Sequence, residues 1–207
     1  MLAWPSPTPV GLATPWAMGP YAGTLRAMVI GLKEERLWGL TEPLAGLLAG
    51  SARALIEDEG IRGPLVLVPV PSRAGSVRAR AMDTTWTLTR RAAALLAPPG
   101  GTARRATGEP VRALPLLRMR PGVRDQAGLD AGERRRNLAG SMTCPSAGLR
   151  RLARLTERAT VVLCDDVITT GCTAREAQRA LDAVGLTVAG IAVVGATERR
   201  FSVSPWS

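Results

Sequence analysis

The residues with the clearest chemical potential stand together in the last quarter of the chain. An apolar run, Val161 to Cys164, is followed directly by two acids, Asp165 and Asp166. Two apolar residues later comes a small, hydroxyl-rich segment, which consists of Thr169, Thr170, Gly171, Cys172 and Thr173. If this segment leads into a helix, its backbone N–H groups and hydroxyls stand at the positive end of the helix dipole. Such a turn suits a phosphate monoester.

The two acids suggest a sugar beside that phosphate. Carboxylates repel phosphate, but they can accept hydrogen bonds from sugar hydroxyls, as the acidic residue of a dinucleotide site does. Gly171 lets the backbone approach a ligand closely, because glycine has no side chain. The string therefore predicts a site for a ribose and its phosphate. The alternative interpretation takes the threonines as ordinary helix capping and the acids as a solvated strand end.

The composition excludes several kinds of chemistry. The chain has no histidine, which removes the usual general base, the usual metal ligand and every Ser-His or Cys-His mechanism. Its three cysteines, Cys144, Cys164 and Cys172, are odd in number and lack C-x-x-C spacing, so neither a disulfide framework nor a structural zinc site is predicted. We interpret Cys164 and Cys172 as small packing residues, and we expect a reducing cytoplasm.

The charge of the chain points to anionic partners. The formal net charge is +10, and every basic residue except Lys33 is an arginine. The positive electrostatic field of such a chain attracts anionic partners, which could be nucleic acid, a nucleotide or polyphosphate. The simpler interpretation is that the arginines only solvate an ordinary protein surface. No apolar run approaches the roughly 20 residues of a membrane span. The proline-interrupted N-terminal segment does not resemble a targeting signal, so neither a membrane span nor secretion is expected.

The elements that would position the site alternate between strands and helices. Buried strands are predicted over 65–70, 160–164 and 187–194, with a further, edge strand over 111–117. Helices are predicted over 41–60, through 86–96 and from Thr173 to a stop at Gly185. This order predicts an α/β protein with a parallel sheet covered on both faces. Ligands of such sheets bind beyond the carboxyl ends of the strands.

A chain of 207 residues suits one domain of this class. We expect an irregular, proline-rich arm over 1–20, without a zinc-binding segment, the domain itself over 21–200 and a tail over 201–207. The charged stretch 118–139 has little apolar periodicity and is predicted to be a loop.

Three stretches of the sequence resemble a known family. The order of apolar run, acid pair and phosphate turn resembles the 5-phosphoribosyl 1-diphosphate signature of type I phosphoribosyltransferases. Leu67–Arg73, followed by Arg78 and Arg80, is similar to the V-P-V-P and Arg-rich segment of the ComF family, the competence-associated branch of these proteins. The stretch 124–140 resembles that family's R-x-Q-x-G-L…R…N-L-x-G segment. With Tyr21-Ala22-Gly23 and Lys33, the likeness covers about residues 20–198.

The resemblance implies a type I phosphoribosyltransferase-like fold, a parallel sheet flanked by helices with a small hood and a flexible loop. It also implies transfer of a phosphoribosyl group from the diphosphate to an unidentified nitrogenous acceptor, with release of pyrophosphate. Mg²⁺ would bridge the diphosphate and ribose, with no direct protein ligand. Asp165 and Asp166 would be catalytic and bind the ribose hydroxyls, and Thr169–Thr173 would bind the 5-phosphate. The pyrophosphate would meet Val70, Pro71, Ser72 and Arg73, and the flexible loop would contribute Arg124, Gln126, Arg134 and Asn137.

The sequence also departs from the family pattern. The cysteine-rich zinc segment common in ComF proteins has no counterpart before Cys144, and Ala81 stands where the family usually has glycine. Thr169 stands where enzymes acting on 6-oxopurines place an aspartate, which disfavours that substrate class. The alternative function is a non-catalytic competence protein that works with the DNA-uptake machinery. Direct binding to DNA is a third hypothesis, which only the net charge supports. The sequence does not decide whether the protein forms a homodimer.

Overall fold

The structure, a computed structural model, describes residues 1–72, 82–97, 110–120, 140–156 and 158–197. Its elements follow one another along the chain in a largely alternating order. They are the strand β1 (Pro15–Pro20), the helix α1 (Gly23–Lys33), a 3₁₀ turn (Trp38–Leu40), α2 (Thr41–Asp58), β2 (Leu65–Pro69), α3 (Thr84–Leu96), β3 (Val111–Ala113), β4 (Arg118–Met119), β5 (Met142–Thr143), α4 (Ser146–Ala153), β6 (Thr160–Ile168), α5 (Cys172–Asp182) and β7 (Val188–Ala196).

Five of these strands form a parallel sheet in the order β1-β7-β6-β2-β3. One face packs against α4, α5 and the N-terminal arm, and the other against α1, α2 and α3. The predicted α/β class, a parallel sheet flanked by helices, is confirmed. Because all five strands are parallel, their carboxyl ends lie at one edge, which is where we expected the ligand site.

The central strands follow from their composition. All five residues of β2 are buried, and β2 lies between β6 and β3. A continuous run of branched aliphatic side chains is typical of a strand covered on both faces. The edge position predicted for the 111–117 segment is confirmed, because β3 lies last in the sheet order and pairs, among the described residues, with β2 alone. The strand is shorter than predicted, since β3 ends at Ala113.

Two predicted boundaries were wrong. The paired acids were expected just after a strand ending at Cys164, but β6 continues to Ile168 and contains both of them. Residues 1–20 were expected to be irregular, yet Pro15–Pro20 form β1 beside β7. Proline at each end of β1 is compatible with a strand that lies last in the sheet order, where not every N–H is needed for the ladder.

Beside the main sheet, β4 and β5 form a two-stranded antiparallel sheet. The predicted hood stays a prediction. The predicted flexible loop, with Arg124, Gln126, Arg134 and Asn137, lies outside the described residues, as does Arg73.

Candidate functional site

Asp166, near the end of β6, is almost completely buried and both of its carboxylate oxygens have partners. Its exposed fraction is 4%. Oδ1 accepts a hydrogen bond of 2.7 Å from the N–H of Val167, and Oδ2 forms an ion pair with Nζ of Lys33, the last residue of α1. A charged carboxylate is stable at this depth because the ammonium compensates it.

Asp165 is in a different environment, although it is the adjacent residue. It is partly exposed, and its Oδ1 accepts a hydrogen bond of 2.9 Å from the N–H of Asp166. Burial of the carboxyl group raises the pKa of Asp165, the charge of Lys33 lowers it and that of nearby Asp83 raises it, and together they bring the pKa to about 7. Asp165 is therefore a carboxyl group that changes charge near neutral pH.

The turn that follows β6 leads into α5 through a left-handed glycine. Gly171 has φ +71° and precedes Cys172, the first residue of the helix. Thr169 is exposed, and Thr170, Cys172 and Thr173 are half-buried. The N–H groups of Thr170, Gly171 and Thr173 donate to no acceptor among the described residues. These donors, at the positive end of the dipole of an 11-residue helix, are suited to an anionic oxygen.

The N-terminal arm packs against this turn, a contact that the sequence did not predict. A Cβ atom on Gly171 would lie 2.9 Å from Cγ of Pro5 and 3.1 Å from Cδ2 of Leu12. Only a glycine leaves this space to the arm. The arm thus closes one side of the turn and limits the shapes that the turn can take.

Side chains of α5 hold the arm in place. Gln178 accepts a hydrogen bond of 2.9 Å from the N–H of Ala13 and donates one of 3.0 Å to the carbonyl of Gly11. Arg175 Nε donates to the carbonyl of Val10 at 3.0 Å. The arm is therefore attached to α5, the helix that begins directly after the turn.

The segment predicted to meet pyrophosphate lies beside the acids. β2 and β6 are neighbours, and the N–H of Val70 donates to the carbonyl of Cys164 at 2.8 Å. Val70 is buried, whereas Pro71 and Ser72 are half-buried. The structure thus brings Val70–Ser72, the acid pair and the 169–173 turn to one edge of the sheet.

Ser72 is connected to α3 through an acid that sequence reasoning missed. Its hydroxyl donates to Oδ1 of Asp83 at 3.1 Å, and the same oxygen caps α3 by accepting the N–H of Trp86 at 3.1 Å. Asp83 is also close enough to raise the pKa of Asp165. An N-capping aspartate before an apolar helix was the available signal, but the sequence alone does not show that it faces β6.

A second missed group, Glu176, connects α5 to β5. Its Oε1 accepts the N–H of Met142 at 2.9 Å, and Arg179 donates to both of its oxygens, at 2.7 and 2.8 Å. Burial alone would raise the pKa of Glu176, but the hydrogen bonds from Arg179 and from the N–H groups of Met142 and Gly140 together lower it. This helix therefore supports three pieces of the structure, namely the turn, the arm and β5.

Cys144 and Cys164 are buried packing residues. Cys164 is fully buried, and burial, with the charge of Asp165, raises the pKa of its thiol. Burial also raises the pKa of Cys144. Neither thiol favours the thiolate that nucleophilic chemistry requires.

The donor set at this edge does not form a metal cage. Within the described ranges, no group of three or more His, Cys, Asp or Glu residues could hold a metal ion. The acids near Asp165 are already engaged with Lys33, Ser72 or backbone N–H groups. With the described residues alone, a divalent cation at this edge would take most of its ligands from the oxygens of a bound substrate, as Mg²⁺ commonly does with substrate phosphates.

The fold and this edge define an α/β protein with an acid pair and a glycine-containing turn at the carboxyl ends of a parallel sheet. No family model matches the chain, and a search of curated proteins found no significant match. In the part of the chain that the structure describes, no helix has the length and apolar character that a membrane crossing requires.

Proposed function

We propose that this protein binds 5-phosphoribosyl 1-diphosphate with Mg²⁺ in the cytoplasm and transfers its phosphoribosyl group to a nitrogenous acceptor, releasing pyrophosphate. The observation that carries the proposal is a single strand-turn-helix unit. In it, β6 supplies a partly exposed acid, and the glycine turn after β6 supplies N–H donors at the start of α5 that have no acceptor among the described residues. A sugar phosphate needs these two features side by side.

The 5-phosphate is assigned to the turn. Its anionic oxygens would accept hydrogen bonds from the N–H groups of Thr170, Gly171 and Thr173, with the threonine hydroxyls as further donors. The helix dipole favours the negative charge at this point. The arm behind Gly171 holds the turn in shape, so little ordering is needed when the phosphate binds.

The ribose is assigned to the end of β6. An ionised Asp165 accepts hydrogen bonds from sugar hydroxyls more strongly than a neutral group would. This acid, between the turn and the end of β2, would orient the sugar ring so that its anomeric carbon faces the acceptor. Orientation of this kind contributes to catalysis without any proton transfer by the protein.

The diphosphate is assigned to Val70–Ser72, at the end of the neighbouring strand β2. Mg²⁺ bound to the diphosphate would supply positive charge that stabilises the leaving pyrophosphate. The protein side of this contact consists of the Ser72 hydroxyl and backbone groups, because the described residues offer no metal cage. In an oxocarbenium-like transition state, the ionised Asp165 beside the ribose stabilises the developing positive charge.

The second candidate is a non-catalytic protein that binds the same ligand and takes part in DNA uptake. The net charge of +10 favours this function, since a basic surface attracts nucleic acid. The two candidates share the ligand site and differ in turnover and in the role in DNA uptake.

Titration calorimetry with 5-phosphoribosyl 1-diphosphate and Mg²⁺ tests the ligand site. Cys172→Asp places a negative charge at the first residue of α5 and should weaken binding at least about tenfold, through repulsion of the phosphate. Ser146→Asp places the same charge at the first residue of α4 and should leave affinity unchanged. Absence of binding by the wild type, or equal binding by Cys172→Asp, would overturn the proposal.

Turnover is tested separately by pyrophosphate release in the presence of a panel of purine, pyrimidine and other nitrogenous acceptors. Release with at least one acceptor supports the transferase. Binding without release across the whole panel would favour the non-catalytic candidate.

A further inference from the structure

The two acids of the pair differ sharply in their access to a ligand. Asp166 is 4% exposed, and the N–H of Val167 and the ammonium of Lys33 each take one of its oxygens. Asp165 is partly exposed, and within the described residues its Oδ2 accepts no hydrogen bond. Only Asp165 therefore presents a carboxylate oxygen that a sugar hydroxyl could reach without breaking an existing ion pair.

A chain of contacts leads from Lys33 to Asp165. Lys33 pairs with Asp166 Oδ2, and the backbone N–H of Asp166 donates to Asp165 Oδ1 at 2.9 Å. The bond from the Val167 N–H to Asp166 Oδ1 holds the same piece of backbone. The position of Asp165 is thus linked, through the backbone of Asp166, to the ion pair with Lys33.

Lys33 is suited to this task. It is the single lysine of the chain, it is the last residue of α1, and its side chain is 26% exposed. An ammonium is a compact charge that can approach one carboxylate oxygen closely, whereas a guanidinium would need a wider, planar space. α1 is thereby attached to the end of β6.

We propose that the two acids have different roles: Asp165 contacts the ribose hydroxyls, whereas the buried Asp166 and the half-buried Lys33 form a positioning pair that holds Asp165 in its binding orientation. This inference rests on the proposed function for its ligand. It assigns a role to Lys33 and removes Asp166 from the set of residues that contact the ligand.

Removal of the pair and removal of Asp165 should have different effects on affinity. Lys33→Met/Asp166→Asn removes both charges of the ion pair together and leaves no unpaired charge at Asp166, so the variant should fold. It should bind 5-phosphoribosyl 1-diphosphate with Mg²⁺ about three- to tenfold more weakly than the wild type, whereas Asp165→Asn should lose about 30-fold or more. If the two variants lost the same affinity, or if Asp165→Asn kept the affinity of the wild type, the proposal of different roles for the two acids would be overturned.

The positioning link can be tested without any ligand. Carboxyl-carbon NMR follows the titration of Asp165, which is faced by Lys33 from α1, Asp83 from the start of α3, and Asp166 and Cys164 on β6. Lys33→Gln keeps a hydrogen-bond donor but removes the charge, so the titration midpoint should rise by about one pH unit. Lys33→Arg should restore it in part, and Arg26→Gln, an exposed charge on the same helix, should not move it.

An unchanged midpoint in Lys33→Gln would overturn the positioning role of Lys33. Because this measurement uses the free protein, it still decides the link if the wild type binds no phosphoribosyl diphosphate. Failure of the proposed function and failure of this inference are therefore distinguishable.

Discussion

Gly171 lies directly against Pro5, at a distance that leaves no room for a side chain. A Cβ atom at Gly171 would approach Cγ of Pro5 to 2.9 Å and Cδ of Pro9 to 3.3 Å. Gly171 also has φ +71°, a conformation that L-residues rarely adopt. The turn assigned to the phosphate and the arm that begins the chain are therefore shaped by each other.

Gly171→Ala should destabilise the protein and distort the turn. The left-handed conformation costs an alanine about 1 kcal/mol, and the contacts with the two prolines add a further cost of similar size. We expect the free energy of unfolding in urea to fall by about 2 kcal/mol, with a loss of affinity for the phosphoribosyl ligand.

The matched control for this variant is Gly185→Ala. Gly185 has φ +80°, but a Cβ there would meet nothing within 4 Å. Gly185→Ala should therefore lose only about 1 kcal/mol of the free energy of unfolding, which is the cost of the left-handed backbone conformation, and should keep its affinity for the ligand. If both variants lost the same free energy of unfolding, the contact with the arm would not matter.

Gln178→Ala should release the arm from α5. The substitution removes the acceptor of the Ala13 N–H and the donor to the Gly11 carbonyl. Loss of these two bonds should reduce the free energy of unfolding by about 1–2 kcal/mol. Hydrogen exchange provides the specific measurement, because the amide of Ala13 should lose its protection while the amides of the central strand β2 keep theirs.

Arg90→Ala controls for shortening a long helical side chain. Arg90 is exposed on α3, so this variant should change the free energy of unfolding by less than about 0.5 kcal/mol. Unaltered exchange at Ala13 in Gln178→Ala would mean that the two hydrogen bonds do not hold the arm.

The sequence was sufficient for the elements with a local pattern. The run Leu65–Pro69 is apolar throughout, and such a run predicts a strand buried on both faces without knowledge of its partners. α5 shows its buried face as Ala174, Ala177 and Leu181, at helical spacing, and Gly185 follows its end. The candidate acids and turn were found for the same reason, since strand, acids and turn are contiguous.

Contacts between residues that are far apart in the sequence could not be predicted from such local patterns. Lys33 and Asp166 form their ion pair because α1 and the end of β6 meet in space, and nothing near Lys33 in the sequence indicates that meeting. Similarly, the arm was expected to be irregular because its prolines break every periodicity. Its strand β1 forms because β7 offers a neighbouring ladder, which is a tertiary effect.

Glu176 should make the stability of the protein decrease in acid. Its pKa is lowered in the folded state from an ordinary value of 4.5, so its contribution is present above that value and is lost as the pH falls through the lower, folded value. Glu176→Gln should reduce the free energy of unfolding by about 1–3 kcal/mol at pH 7. The difference from the wild type should shrink between pH 5 and pH 3 in urea titrations, and a difference constant over that range would contradict this assignment.

Asp165 should have the opposite dependence on pH. Its folded pKa is raised from 3.8 to about 7, so the folded state favours the protonated form. This contribution is fully present below pH 3.8 and is lost as the pH rises through about 7, so the wild type should become less stable across that window. Asp165→Asn should remove the decrease and be more stable than the wild type at pH 8, on the order of 1–2 kcal/mol once partial exposure is allowed for. Asp182→Asn, which changes an exposed acid at the end of α5, should keep the wild-type pH dependence. The measurement is the free energy of unfolding in urea from pH 5 to 8. If it decreased equally in Asp165→Asn and in the wild type, Asp165 would already be ionised over that whole pH range.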